Sequence, residues 1–139
     1  MLQVIIDTNV LVSSLIQHSY PFLIVDFLIK SSNSSICISM KISNEYNDVL
    51  FREKFTKYAE FFSNAKDLLS DLEEKAEMFY PDVTLDILED KSDNKFLELA
   101  ETCNADYLIT GNLRHFPMRE YKKTKIVTPK EFWELMTTN

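Results

Sequence analysis

The residues of this chain best placed to do chemistry are carboxylates and one carboxamide that follow short apolar runs or open helical patterns. Asp7 comes directly after Val4-Ile5-Ile6, with Thr8 and Asn9 beside it as small polar groups able to orient it. Glu45 falls on the apolar side of a helical pattern, between Ile42 and Val49, where an unpaired charge is costly. Asp90 and Asp93 precede and open the pattern carrying Phe96, Leu97 and Ala100. Helix starts favour Asp as a cap, so each of these two also has a purely structural reading. Thr110-Gly111-Asn112 ends another apolar run. Carboxylates brought together raise one another's pKa and destabilise the fold unless a cation intervenes. The expectation is that no Lys or Arg neutralises this group from within. Oxygen ligands suit Mg2+ or Mn2+ better than zinc. On a phosphodiester such an ion activates water and stabilises the charge developing on phosphate and leaving oxygen. The sequence leaves one or two ions open.

These residues need elements to position them. Leu2 to Ile6 is rich in β-branched residues and too short for a helix, as expected of a strand buried on both faces of a parallel sheet. Ile36 to Ser39, Tyr107 to Thr110 and Lys125 to Thr128 read the same way. Helical periods cover Pro21 to Lys30, 40 to 51, one long stretch from 56 to 79, 93 to 103, and Pro129 to Met136. Ser31 to Ser35 reads as a polar turn. The alternation predicts one layered α/β domain over residues 1–139 with a central, mostly parallel sheet. Ligands of such sheets bind beyond the carboxyl ends of the strands, which is where Asp7, Glu45, Asp93 and Asn112 are expected. Phe51, Phe55, Tyr58, Phe61 and Phe62 read as core, with a partner surface as a second use.

Composition narrows the function classes. With 45% hydrophobic and 27% charged residues among 139, the chain is not disordered. Its single glycine, Gly111, excludes a P-loop and a dinucleotide fingerprint. Gly111 is expected to turn the backbone sharply before Asn112, where a missing Cβ relaxes steric limits. No apolar run approaches the ~18 residues of a membrane span. The start lacks the basic residues and cleavage site of a signal peptide, so a cytoplasmic protein without a membrane partner is expected. Cys37 and Cys103 read as reduced core residues. A net charge of −7 argues against nucleic acid. Arg114, His115, Arg119, Lys122, Lys123 and Lys125 soften that argument, being opposed locally only by Glu120. The strip reads either as a solvated surface or as a guide for a nucleic-acid backbone. A phosphate-receiver domain would need a second acid beside Asp7, and a haloacid-type phosphatase an Asp at position 9, where Asn9 stands.

Four segments carry a family resemblance: Val4 to Val10, Ser39 with Glu45 and Val49-Leu50, Asp90 to Ala100, and Ala105 to Phe116. In order and spacing they resemble the PIN-domain nucleases. The last two look most like the small prokaryotic PIN proteins of toxin–antitoxin systems, including the VapC type. The resemblance implies a three-layer PIN-like fold, an acidic pocket holding Mg2+ or Mn2+, and endonucleolytic cleavage of RNA. It implies Asp7, Glu45 and Asp93 as catalytic, metal-binding carboxylates and Asp90 as an auxiliary acid of the same loop. Asn112 stands where many members carry Asp; its amide oxygen can still ligate a metal or bind its water, without charge. Thr8, Asn9 and Thr110 then support these ligands, while Arg114, His115, Lys122 and Lys123 contact RNA. For His115, a general base and a side chain packing beside Phe116 or touching phosphate both stay open. An antitoxin lying across the pocket and a homodimer are implied as partners. The alternative is a PIN-like module that binds RNA or protein with little or no catalysis.

Overall fold

In the computed structural model, which describes residues 1–138, Leu2–Ile6 forms the strand β1 on which the rest is assembled. Val4, Ile5 and Ile6 are all fully buried, so both faces of the strand are covered, as its unbroken apolar run requires. The chain continues through α1 (Thr8–Ile16), α2 (Tyr20–Lys30), β2 (Ser34–Ile38), α3 (Met40–Leu50), α4 (Phe61–Lys75) and β3 (Glu77–Met78). It ends with α5 (Asn94–Cys103), β4 (Tyr107–Ile109), β5 (Glu120–Tyr121), β6 (Thr124–Val127) and α6 (Pro129–Thr137). The sheet order is β3-β2-β1-β4-β6-β5, with every pair parallel except β5 against β6. This is the expected mostly parallel α/β sheet flanked by helices.

The order of the strands explains where a site can form. The chain builds outward from β1 to β2 and β3, then returns to lay β4 on the other side of β1. Val4 lies opposite both Ile36 and Tyr107, and Ile6 opposite Ile109. The reversal between β1 and β4 opens a crevice past the carboxyl ends of the two strands. Asp7 and Thr110 are the first residues beyond those ends. The helix starts are fixed locally. Ser39 accepts the Ile42 N–H at the head of α3, and Ile42, Tyr46 and Leu50 then line its buried face. Thr128 and Glu131 form a capping box on α6 with Pro129 in its first turn.

Three points differ from the sequence reading, the second of them an element it did not assign. First, the stretch from 56 to 79 is not one helix. Glu53–Lys57 is a 3-10 turn, Glu60 is left-handed at φ 59°, and α4 starts only at Phe61. Phe55 stacks on Phe61 with ring centroids 4.7 Å apart. Residues six apart on a helix point in widely different directions, so a continuous helix could not make this contact. At the far end the chain leaves α4 to pair Glu77 with Cys37 of β2. Second, Thr8–Ile16 is helical, although its short apolar pattern carries no acidic or side-chain cap. Third, Ser34 and Ser35 belong to β2 rather than to a turn, and Ser34 is buried. Of the aromatic group, Phe55 and Phe61 are core while Phe51 is exposed. Cys37 and Cys103 are buried and unbridged. No described helix alone is long and apolar enough to cross a membrane.

Candidate active site

Asp7 occupies the position that would cap α1 but makes no side-chain capping bond. Its Oδ2 instead accepts from Thr110 Oγ1 at 2.8 Å and from Asn9 Nδ2 at 3.2 Å. Burial pushes its carboxyl up to about 6. The Thr110 bond pulls the other way, and the charges of Asp93 and Glu45 add to the rise. Thr110 is itself fully buried. Thr110→Val should therefore lift the Asp7 pKa further and cost about 1–2 kcal/mol, most of it at alkaline pH, because the lost bond served the ionised form. Urea unfolding of the metal-free protein at pH 5 and pH 8 checks this; a loss independent of pH would refute it.

Glu45 reaches the same edge because Tyr46, its neighbour on α3, donates its hydroxyl to the Ile6 carbonyl at the end of β1. Thr8 donates to Glu45 Oε2 rather than to Asp7, so of the two small polar neighbours only Asn9 orients Asp7. Glu45 Oε1 lies 2.6 Å from Lys95 Nζ, a half-hidden ammonium that also donates to the Ser92 carbonyl at 2.6 Å. The expectation that no cation stands within the acidic group is thus corrected. Lys95 lies two residues beyond Asp93 in sequence, and the first turn of α5 turns it onto Glu45 of α3.

The two aspartates before α5 divide. Asp90 is an exposed cap: its Oδ1 accepts the Ser92 N–H at 3.0 Å and the Ser92 hydroxyl at 2.9 Å, which holds its pKa below the usual range. Asp93 sits at the cap position of α5, makes no capping bond and is buried, which raises its pKa, with Asp90 adding to the rise. His115 Nδ1 lies 2.9 Å from Asp93 Oδ2, an ion pair when the imidazole is protonated. Apart from that imidazole, the buried Asp93 Oδ2 meets no donor among the described residues. A buried carboxylate oxygen left in this state is costly unless a cation reaches it. One donor atom each from Asp90, Asp93 and His115 lies within 4.8 Å of the others. Glu45 raises the pKa of both Asp7 and Asp93, so the carboxylates share one field. The donors present, mainly carboxylate oxygens with one imidazole, fit a divalent cation of the Mg2+ or Mn2+ kind.

Asn112 joins the group through its backbone, whose N–H donates to Thr110 Oγ1 at 3.0 Å. Gly111 does not have the positive φ of a turn glycine. Its role is one of space: its N–H donates to Asn9 Oδ1 at 2.9 Å, and an added Cβ would stand 3.1 Å from that oxygen.

The basic strip is divided by strand polarity. Arg114 and His115 lie in a 3-10 turn after Asn112 and line a groove of about 520 Å³ with Asp90 and Met118. Lys122 and Lys123 instead fall in the turn between β5 and β6, at the amino edge of the sheet, opposite Asp7. There Lys122 pairs with Glu101 at 3.0 Å and Lys123 with Asp106 at 3.3 Å. Farther along, Arg119 holds both oxygens of Glu131 at 2.9 Å. The structure thus does not bring Lys122 and Lys123 to the acidic group. It brings Lys95, which sequence reading passed over, and Lys95 shares a groove of about 440 Å³ with Lys41, Lys91, Asn44 and Glu98, Lys41 pairing with Glu98 and Lys91 with Asp86. Lys41, Lys91 and Lys95 come from the start of α3, the loop before α5 and α5 itself, so no basic run marks them.

The comparisons with known proteins bear on family and fold. The PIN domain family model matches residues 3–114. The chain is 28% identical to the uncharacterised protein MJ1680 of Methanocaldococcus jannaschii over 142 aligned positions, which cover 96% of this chain and 90% of that protein. Its fold is similar to a chain in the crystal structure of VapBC2 from Rickettsia felis bound to a DNA fragment from their promoter. That likeness has a TM-score of 0.59 at 17% identity and covers 91% of this chain and 98% of that chain, so it is one of fold. The family match runs from β1 to beyond the end of β4 and takes in Asp7, Glu45, Asp90 and Asp93, and on it the chain belongs to the PIN-domain family of nucleases.

Proposed function

We propose that this protein is a Mg2+- or Mn2+-dependent endoribonuclease and the toxin of a toxin–antitoxin pair. The observation that carries the reading is a buried Asp93, whose Oδ2 meets only the His115 imidazole, in one field with an Asp7 whose carboxyl burial has pushed up to about 6. Asp7, Glu45 and Asp93 would hold one or two ions, with Asp90 beside them and Asn112 offering an uncharged oxygen. The bound ion supplies activation of water and neutralisation of charge on the phosphate. The rest is done by the chain itself. Thr110 and Asn9 fix Asp7, while Thr8 and Lys95 hold Glu45. His115 faces Asp93 through Nδ1, which leaves Nε2 to meet a phosphate oxygen, with Arg114 beside it. The likeness of fold to a chain of the VapBC2 structure supports an antitoxin partner. An arginine of such a partner could supply the countercharge in place of metal. Exposed Tyr20, Leu23 and Phe27 on α2 supply apolar surface for a homodimer.

One observation favours the second reading, a PIN-like binding module with weak catalysis. Lys95 and His115 already bring positive groups to Glu45 and Asp93. Incubating single-stranded RNA, and DNA of the same sequence, with the protein in Mn2+, Mg2+ or EDTA decides between them. Internal cleavage of RNA only with metal is expected; intact RNA at every metal concentration would overturn the nuclease reading. The same assay format tests the RNA path. Lys122→Ala with Lys123→Ala should leave RNA affinity within about twofold, whereas Arg114→Ala should lower it severalfold and reduce the salt slope by about 1. The reverse pattern would put the path at the amino edge of the sheet.

A further inference from the structure

A cavity of about 290 Å³ lies beside the acidic group, on the β3 side, between the start of α3 and the segment that follows β3. We propose that it seats one unpaired base of the substrate strand, preferring bases that carry an exocyclic amino group. The proposal rests on the nuclease reading above and names the form of substrate that reading would take.

The wall nearest the acidic group is Lys95, whose ammonium holds Glu45, so a base in the cavity adjoins the phosphate to be cut. The rest of the lining mixes apolar side chains with the exposed Asp82 and Thr84. Tyr80 is 75% exposed and Met40 53%, with the half-buried Phe79 beside them. Flat apolar surface of this kind suits the face of a base, since every base can stack whatever its identity. A base in a duplex already stacks on its neighbours, so the occupant must come from a single strand. The floor adds a polar mark. Glu98 of α5 is 94% buried by its 6% exposure. Its Oε2 accepts the Leu85 N–H at 2.9 Å, while Oε1 keeps only a loose pairing to Lys41 Nζ at 3.8 Å. A carboxylate oxygen with no close donor accepts an amino N–H of cytosine, adenine or guanine. An aliphatic side chain of a protein partner would leave that oxygen unmet. Lys41 and Lys91, both largely exposed at the rim of the adjoining groove, stand where backbone phosphates would pass.

The test is fluorescence anisotropy of the full chain with short labelled single-stranded RNAs, in Ca2+ and in EDTA, with metal-dependent cleavage by the wild type measured in parallel. Tyr80→Ala, a change at an exposed position, should weaken binding of oligocytidylate about fivefold or more and leave an abasic oligomer unaffected. Wild type should prefer oligocytidylate to oligouridylate, and Glu98→Gln should erase or reverse that preference. Equal binding by wild type and Tyr80→Ala would overturn the base site, as would an equal effect on the abasic oligomer or no binding of either oligomer. Cleavage of RNA together with a Tyr80→Ala variant that binds normally sinks the base site alone. Tyr80-dependent binding without cleavage sinks the nuclease reading and leaves the base site standing.

Discussion

Asp7→Asn should abolish metal-dependent cleavage and make the metal-free protein more stable at neutral pH. Metal catalysis supplies several kcal/mol of transition-state stabilisation, so removing a charged ligand should lower the rate a hundredfold or more. The stability gain follows from the same carboxyl. Its folded-state pKa of about 6 lies above the ordinary value of 3.8, so the folded state binds the proton more tightly than the unfolded chain does. Stability is then fully present below pH 4, falls as pH climbs from about 4 to about 6, and stays lower above that, by about 3 kcal/mol for this shift. Asparagine keeps the size of the side chain and can still accept from Thr110, but carries no charge to bury. A gain of roughly 1–3 kcal/mol at pH 8, shrinking toward pH 5, is expected in EDTA. Chemical denaturation at the two pH values reads it. An Asp7→Asn protein less stable than wild type at both would show that Asp7 serves mainly as a structural residue.

The wild type should gain from metal what it loses by carrying that charge. A cation that binds only the folded state at a hundred times its Kd adds about 2.7 kcal/mol, equivalent to roughly 5–10 °C in Tm for a domain of this size. The shared field of Asp7, Glu45 and Asp93, and a buried Asp93 Oδ2 met only by His115, are the reasons to expect it. Melting curves with EDTA and with millimolar Mn2+ or Mg2+ should separate, and the separation should shrink in Asp7→Asn and Asp93→Asn. Superimposable wild-type curves would remove the metal site and leave Lys95 and His115 as the charge partners of the carboxylates.

Much of the fold could be read from the chain because the informative residues act locally. The apolar runs of β1, β2, β4 and β6 are too short for anything but buried strands, and each was legible to within a few residues. The meeting of Asp7, Glu45 and Asp93 followed from their placement after strand ends or at helix starts. What stayed hidden depends on contacts between distant segments. Asp90 and Asp93 look alike before a helix; only the packing shows that one caps a turn and the other faces the crevice. Lys95 reads as an ordinary surface lysine until α5 docks beside α3. Glu98 lies on an apolar helix face with no nearby polar signal, and its partner is a loop N–H. Lys122 and Lys123 stand close to Asn112 in the chain, yet the β5–β6 reversal places them a strand length away. The periodic stretch from 56 to 79 hides its break because the left-handed turn at Glu60 leaves the apolar spacing intact on either side.

The insertion of β4 beside β1 also sets a schedule for biosynthesis. The hydroxyl that orders Asp7 belongs to a residue 103 positions later, and β6, which flanks β4, follows later still. A nascent chain still on the ribosome can hold Asp7 and Glu45 but cannot arrange them, since Thr110 and Asn112 have not yet emerged. The acidic group therefore cannot be fully ordered until β4 and the residues after it have emerged, and a translation product truncated before β4 lacks the Thr110 hydroxyl that holds Asp7.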